Sequence, residues 1–132
     1  MSSLYVNQLY AFTGSVISTP SIYISGSANG NVSALSIVSN TASMDCSKAN
    51  FFTLQLVGST DTHLVPTNFS SGQTINVKVN TTGSGTVSFP SSVQEATGSE
   101  YVPTTTTGID VLTFIAFDSS KVLLSNLKNF VG

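Results

Sequence analysis

The residues with the greatest capacity for chemistry are few and lie far apart along the chain. His63 is the single histidine and follows Asp61, and abundant serines make a Ser–His–Asp triad formally possible. No nucleophile-elbow motif accompanies these residues, and His63 follows a turn on a predicted strand. We therefore expect a histidine on the surface or on an edge strand, and no catalytic triad.

The acidic residues and the single cysteine offer little more. Glu95 and Glu100 precede a threonine run, and a carboxylate pair of this kind could cleave a glycosidic bond. Carboxylates in the loops of a weakly charged protein usually serve only to hydrate those loops. The aspartates that could bind a metal ion are widely spaced: Asp45, Asp61, Asp110 and Asp118. We therefore expect no enzyme, no cofactor and no metal site within the chain, while calcium bound between subunits stays open. Cys46 has no disulfide partner and is expected to be a small buried residue.

A predicted loop between Gly98 and Gly108 is the candidate ligand site. Tyr101 could stack against a sugar ring while Glu100 and Thr104 form hydrogen bonds with its hydroxyl groups. The alternative is that Tyr101 packs this loop onto the domain or onto a neighbouring subunit. The sequence leaves both interpretations open.

The composition excludes some partners and favours assembly. The 132 residues (13.7 kDa) suit one domain, and only 8% of them are charged. Four lysines, no arginine and a net charge of −2 do not favour nucleic-acid binding. No apolar run is long enough to cross a membrane, so no membrane partner is expected either. Few charges give a surface little protection against association, which favours burial in an oligomer.

Apolar residues alternate with polar ones throughout, and no segment sustains a helical period. Many short strands separated by turn residues predict an all-β fold, an antiparallel β-sandwich or jelly-roll-like domain over residues 21–132. Residues 1–20 are predicted to form an extended N-terminal arm or an edge strand. Three hairpins are expected: one around the Asn-Gly-Asn turn at 29–31 with 32–38 as its return strand, one pairing 74–80 with 86–89, and one pairing 109–117 with 121–127.

The strand from Ile109 to Phe117 departs from this alternation because it is apolar on both faces. We expect one face to meet the partner sheet and the other to meet a neighbouring subunit or the N-terminal arm. The candidate interface residues on this strand and on the arm are Val111, Thr113, Ile115, Phe117, Leu4, Tyr5, Leu9, Tyr10 and Phe12.

A succession of motifs carries a family resemblance. Residues 45–56 show the pattern D-x-S-x-x-N-x-F-T-L-x-L, followed by G-Q-T-I-N-V-K-V at 72–79, V-S-F-P at 87–90, D-V-L-T-F at 110–114 and N-F at 129–130. This succession resembles a β-structured module of tailed-bacteriophage virion proteins, especially marine ones, in which it occurs in capsid decoration and tail-fibre C-terminal proteins. The resemblance covers about residues 45–130. This chain has D-S-S at 118–120 and no tryptophan, where many such modules have an Asp-Gly turn and a tryptophan.

The resemblance implies a structural protein on the surface of the phage particle. With little chain ahead of the module, we expect a capsid decoration (cement) protein, a homotrimer that stabilises the head through contacts between subunits and with the major capsid protein or other virion proteins. The alternative is a tail-fibre or receptor-binding module that recognises host surface glycans through the 98–108 loop.

Overall fold

Two β-sheets enclose one apolar core in the part of the chain that the structure describes. A computed structural model describes residues 26–131, so the predicted N-terminal arm (residues 1–20) and its residues Leu4, Tyr5, Leu9, Tyr10 and Phe12 lie outside the described residues. The strands within 26–131 are β1 (Val32–Ala34), β2 (Ile37–Val38), β3 (Thr41–Asp45), β4 (Phe51–Gln55), β5 (Asp61–Thr67), β6 (Thr74–Thr82), β7 (Thr86–Ser88), β8 (Val93–Glu95), β9 (Thr107–Ile115) and β10 (Val122–Phe130). The all-β prediction is confirmed.

The chain winds between the two sheets from β3 to β7. The large sheet has the strand order β1-β4-β6-β9-β10-β8, and the small sheet has the order β2-β3-β5-β7. From β4 to β7, each strand lies in the opposite sheet from the strand before it. Strands that are one circuit apart, β4 with β6 and β3 with β5 with β7, therefore lie side by side and run parallel. This winding gives the molecule a solenoid-like character.

The expected antiparallel sandwich or jelly roll is therefore not what the structure shows. Five of the eight strand pairings are parallel. The predicted hairpin of 74–80 with 86–89 does not form, because β6 belongs to the large sheet and β7 to the small one. The predicted pairing of 109–117 with 121–127 is confirmed as the antiparallel pair β9–β10.

The alternation in the sequence fills the core from both sheets. Ile75, Val77 and Val79 point inward from β6, while Leu112 and Phe114 point inward from β9, and all five side chains are fully buried. Hydrophobic burial of this kind is the main stabilising term of the fold. The opposite side of the large sheet is left to face outward.

The motif at 45–56 has a structural explanation at the crossing from β3 to β4. The Asp45 carboxylate accepts hydrogen bonds from the Ser47 amide (3.2 Å), the Ser47 hydroxyl (2.7 Å) and Asn68 Nδ2 (3.0 Å). Hydrogen bonds from Asn68 and Ser47 lower the pKa of Asp45 to about 2. Asn50 Nδ2 donates to the Thr74 carbonyl (2.8 Å), which ties the start of β4 to β6. The polar residues of the motif thus fix the crossing between sheets.

Paired cysteine substitutions test the parallel arrangement of β4 and β6. Phe51 faces Asn76, and Gln55 faces Asn80, at opposite ends of the pair. Neighbouring strands lie about 4.8 Å apart, which is within the span of a disulfide. We expect the double variants Phe51→Cys/Asn76→Cys and Gln55→Cys/Asn80→Cys both to oxidise readily, as measured by mobility on non-reducing gels. Preferential oxidation of the crossed pairs, 51 with 80 and 55 with 76, would instead indicate an antiparallel pair.

A second prediction concerns two threonines buried in the core. Thr62 is 1% exposed, and its hydroxyl has no hydrogen-bond partner among the described residues. Thr62→Val is expected to raise the free energy of unfolding by about 1 kcal/mol in urea denaturation, because the unpaired hydroxyl is removed without loss of volume. Thr81→Val is the matched control: the Thr81 hydroxyl donates to the carbonyls of Thr106 (2.7 Å) and Gly108 (3.2 Å), so this change should destabilise. Equal effects of the two changes would contradict the assignment.

Candidate assembly surface

The outward side of the large sheet, here called the outer face, carries eight large apolar side chains. Its apolar side chains, all of them solvent-accessible to some degree, are Val32, Phe51, Ile109, Val111, Ile115, Leu123, Leu127 and Phe130. Among the strand residues on this face, Lys78 carries the one charge. Apolar patches that remain exposed on a folded protein mark sites of interaction.

Cross-strand register gathers these side chains into two patches. On the β9–β10 side, Ile115 faces Leu123 and Val111 faces Leu127. On the β1–β4 side, Val32 faces Phe51, with exposed fractions of 68% and 43%. The outward residues of β6, among them Asn76 and Lys78, form a polar row between the patches.

The outer face contains three of the interface residues that the sequence analysis named. Val111, Thr113 and Ile115 project outward from β9, while Leu112 and Phe114 project into the core. Thr113 forms a hydrogen bond through its hydroxyl to Asn76 Oδ1 (2.9 Å), so it contributes to the polar row.

Phe117 is the fourth candidate interface residue from the predicted strand at 109–117. It lies just after the end of β9 and is 75% exposed. Sequence reasoning missed Val32, Phe51, Leu123 and Leu127. Leu123 and Leu127 alternate with buried or polar neighbours in β10, but their place on the outer face follows only from strand order and register.

The loop at 98–108 takes the second of the two roles considered for it, in which Tyr101 packs the loop onto the domain. Tyr101 is 5% exposed, and the centroid of its ring lies 6.4 Å from that of Phe89. The Phe89 ring in turn lies 6.1 Å from the ring of Phe114 in the core. Thr104 is also buried. Tyr101 therefore has no free ring face for a sugar, and it packs the loop onto the domain. Glu100 is exposed, and hydrogen bonds from its own backbone N–H and from that of Gly98 lower the pKa of its carboxyl.

A buried carboxylate holds this loop in place. Asp110 is fully buried and accepts four hydrogen bonds: from the Tyr101 hydroxyl (2.9 Å), the Thr104 amide (2.8 Å), the Thr104 hydroxyl (2.6 Å) and the Asn129 amide (2.9 Å). We call this group the Asp110 latch. It joins the loop before β9 to the end of β10. Burial alone would raise the pKa of Asp110, but the hydrogen bonds from Thr104, Asn129 and Tyr101 outweigh it and lower the pKa.

His63, Asp61 and a serine do meet on the surface, but in the wrong order for catalysis. In the parallel pair β5–β7, Asp61 faces Thr86 and His63 faces Ser88. The Ser88 hydroxyl donates to Asp61 Oδ2 (2.9 Å), and His63 Nδ1 lies 3.1 Å from the same hydroxyl. A triad requires histidine between the carboxylate and the serine, whereas here the serine lies between the other two. The carboxylate therefore does not orient the imidazole, and the cluster links β5 to the edge strand β7. His63 itself is half-buried on β5, an interior strand of the small sheet.

The remaining reactive groups form no further site in residues 26–131. No group of three or more His, Cys, Asp or Glu side chains that could hold a metal ion occurs there. Cys46 is buried, and burial raises the pKa of its thiol to about 11, which leaves it unreactive near neutral pH. The same range contains no helix of the length and apolarity needed to span a membrane.

The latch makes a prediction about stability and pH. Asp110→Asn replaces an acceptor oxygen with a donor that faces other donors, so the free energy of unfolding at neutral pH should fall by about 2–3 kcal/mol. Because the folded pKa of Asp110 lies below its ordinary value of 3.8, its stabilisation is complete above that value and is lost as the pH falls further. Urea denaturation at a series of pH values should therefore show the gap between wild type and variant closing in acid. Asp118→Asn, in an exposed turn, is the matched control. A gap that persists unchanged in acid would contradict the latch.

Comparison of the chain with protein-family models, with curated proteins and with solved structures found no match. A function assigned to this chain therefore depends on the chemistry and geometry of its own residues. The feature that most needs a functional explanation is the apolar outer face.

Proposed function

We propose that this chain is a non-enzymatic structural protein of a tailed-bacteriophage virion, a capsid decoration protein that assembles as a homotrimer on the head. The observation that supports this proposal best is the outer face, which leaves two apolar patches exposed on a side of the sheet where Lys78 is the one charged strand residue. The phage-like succession of motifs at 45–130 supports the viral setting. The partners would be copies of this chain and the major capsid protein.

The two patches are compatible with a closed ring. A ring is built from two different surfaces of one subunit that fit one another. The patch of Leu123 and Leu127 on β10 and the patch of Val32 and Phe51 on β1 and β4 are two such surfaces, separated by the polar row of β6. In the proposed trimer, the β9–β10 patch of one copy packs against the β1–β4 patch of the next.

The outer face alone does not supply the area of a stable interface. Strands about 4.8 Å apart, with residues about 3.3 Å apart, give the outward side of β4, β6, β9 and β10 roughly 500 Å² per copy. Two whole faces therefore supply about 1,000 Å², and a ring contact between one patch and the other uses about half of that, whereas stable interfaces bury about 1,200–2,000 Å² in total. Contacts outside the outer face, between copies and with the capsid, would supply the rest.

The alternative, a receptor-binding module that recognises glycans through the 98–108 loop, has weaker support. Its key aromatic residue, Tyr101, is buried and hydrogen-bonded to Asp110. Of the three residues considered for that loop, only Glu100 is exposed.

Placing a charge on the outer face tests the proposal. Leu123 is 45% exposed and lies in the β9–β10 patch, so Leu123→Asp should leave the fold intact while burying an unpaired carboxylate in any interface. We expect wild type to have three times the 13.7 kDa mass of one chain by light scattering, and the variant to have the mass of a monomer. Binding to undecorated capsids should fall at least tenfold.

Val102→Asp is the matched control, because Val102 is 57% exposed and lies in the loop away from the outer face. This variant should remain trimeric and should bind capsids like wild type. A wild-type protein that stays monomeric at high concentration and ignores capsids would overturn the proposal. So would a Leu123→Asp variant that assembles normally.

A further inference from the structure

An open groove of about 520 Å³ lies at one end of the outer face, where β10 ends. Its lining includes the side chains of Gln55, Asn80, Thr82, Thr107, Ile109 and Phe130. Among the described residues that line it, none is charged. We call it the bulge groove.

The floor of this groove is a row of cross-strand neighbours. Gln55 faces Asn80, Asn80 faces Ile109, and Ile109 faces Phe130. Because neighbouring strands lie about 4.8 Å apart, the amide of Asn80 is roughly 10 Å along the row from Phe130. Thr82 and Thr107 face each other two residues further along β6 and β9, and they add two hydroxyl groups to the groove. An aromatic and apolar half therefore adjoins a half rich in amides and hydroxyls.

The position of Phe130 is built into the backbone. The register of β10 against β9 shifts between Leu127 and Phe130, and Asn129 has a φ of 63°, in the left-handed region. Asparagine tolerates this conformation better than most residues do. The bulge returns Phe130 to the outer face opposite Ile109, where its side chain is 47% exposed. Bulges often redirect a side chain beside a functional site.

The Asp110 latch fixes this bulge from the inside. The amide of Asn129 donates to Asp110 Oδ1 (2.9 Å), while the other acceptor positions of the carboxylate hold Tyr101 and Thr104. A fully buried carboxylate thus holds the residue that precedes an exposed aromatic ring. The Phe130 ring is not part of the apolar core, so core packing does not explain why it is held at this position.

We propose that the bulge groove binds a neutral carbohydrate, with one sugar ring stacked on Phe130 and Ile109 and the next hydrogen-bonded by Asn80, Gln55 and the two threonines. Sugar rings present apolar C–H faces and hydroxyl edges, and aromatic rings beside amides and hydroxyls match both. The length of the row suits a disaccharide unit. The absence of lysine and arginine from the lining gives no partner for uronic or sialic acids.

The groove lies at one end of the outer face. Sugar binding is measured separately from oligomer mass and capsid binding, so this proposal and the proposed function can fail independently. Isotope-labelled protein is titrated with neutral disaccharides of glucose, galactose and mannose, and in a separate arm with sialyllactose and a uronic-acid disaccharide. We expect millimolar binding of at least one neutral sugar, with NMR shift changes at residues 80–82, 107–109 and 129–131. The acidic sugars should bind more weakly.

Phe130→Ala should weaken this binding about tenfold, while the fold remains intact because the ring is half exposed. Asn80→Ala, which leaves the aromatic ring in place, should weaken it as well. Val102→Ala is the control, since Val102 is 57% exposed and lies outside both the groove and the outer face. Its binding should equal that of wild type.

Three results would overturn the proposal. The first is no binding of any neutral sugar at tens of millimolar, and the second is binding that Phe130→Ala leaves unchanged. The third is a set of shift changes at the groove that depends on protein concentration and not on sugar. That last result would assign the groove to contact between copies of this chain.

Discussion

The arrangement of the C-terminal half depends on one buried carboxylate. Asp110 faces inward from β9, one of the two central strands of the large sheet. Its four hydrogen bonds replace those to the water that burial removes. Through these bonds the Asp110 latch closes the 98–108 loop over the core and fixes the bulge before Phe130. One polar group thereby holds Tyr101 in the core and fixes the backbone before the exposed Phe130.

Much of the fold could be predicted from the sequence, but its topology could not. Alternation identified the strands and their buried sides, including the β9–β10 pair, because burial of one face depends on local pattern alone. Alternation with period two is the same in parallel and antiparallel sheets. The Gly72 and Gly83 turns both have positive φ, yet they carry the chain from one sheet to the other and do not close hairpins. The solenoid-like winding follows from long-range pairing that no local signal encodes.

Some residues of the candidate sites could likewise be predicted from local pattern, whereas others depend on long-range pairing. The two-sided apolarity of β9 was sufficient to predict that Val111 and Ile115 face away from the core. Phe51 and Leu123 join them only through strand order, which the sequence does not reveal. Tyr101 resembled an exposed ligand residue because its partner, Asp110, lies nine residues further along the chain. His63, Asp61 and Ser88 do come together, but the order of their hydrogen bonds could be read only from the structure.

The central claim is that the outer face is a surface for assembly on a virus particle. It is tested most directly by cryo-electron microscopy of intact phage particles from the source of this sequence. The proposal predicts density for the chain on the head, in clusters of three, with the β9–β10 patch of each copy packed against a neighbour. Absence of the chain from the head, or an outer face that is bare to solvent in every copy, would contradict it.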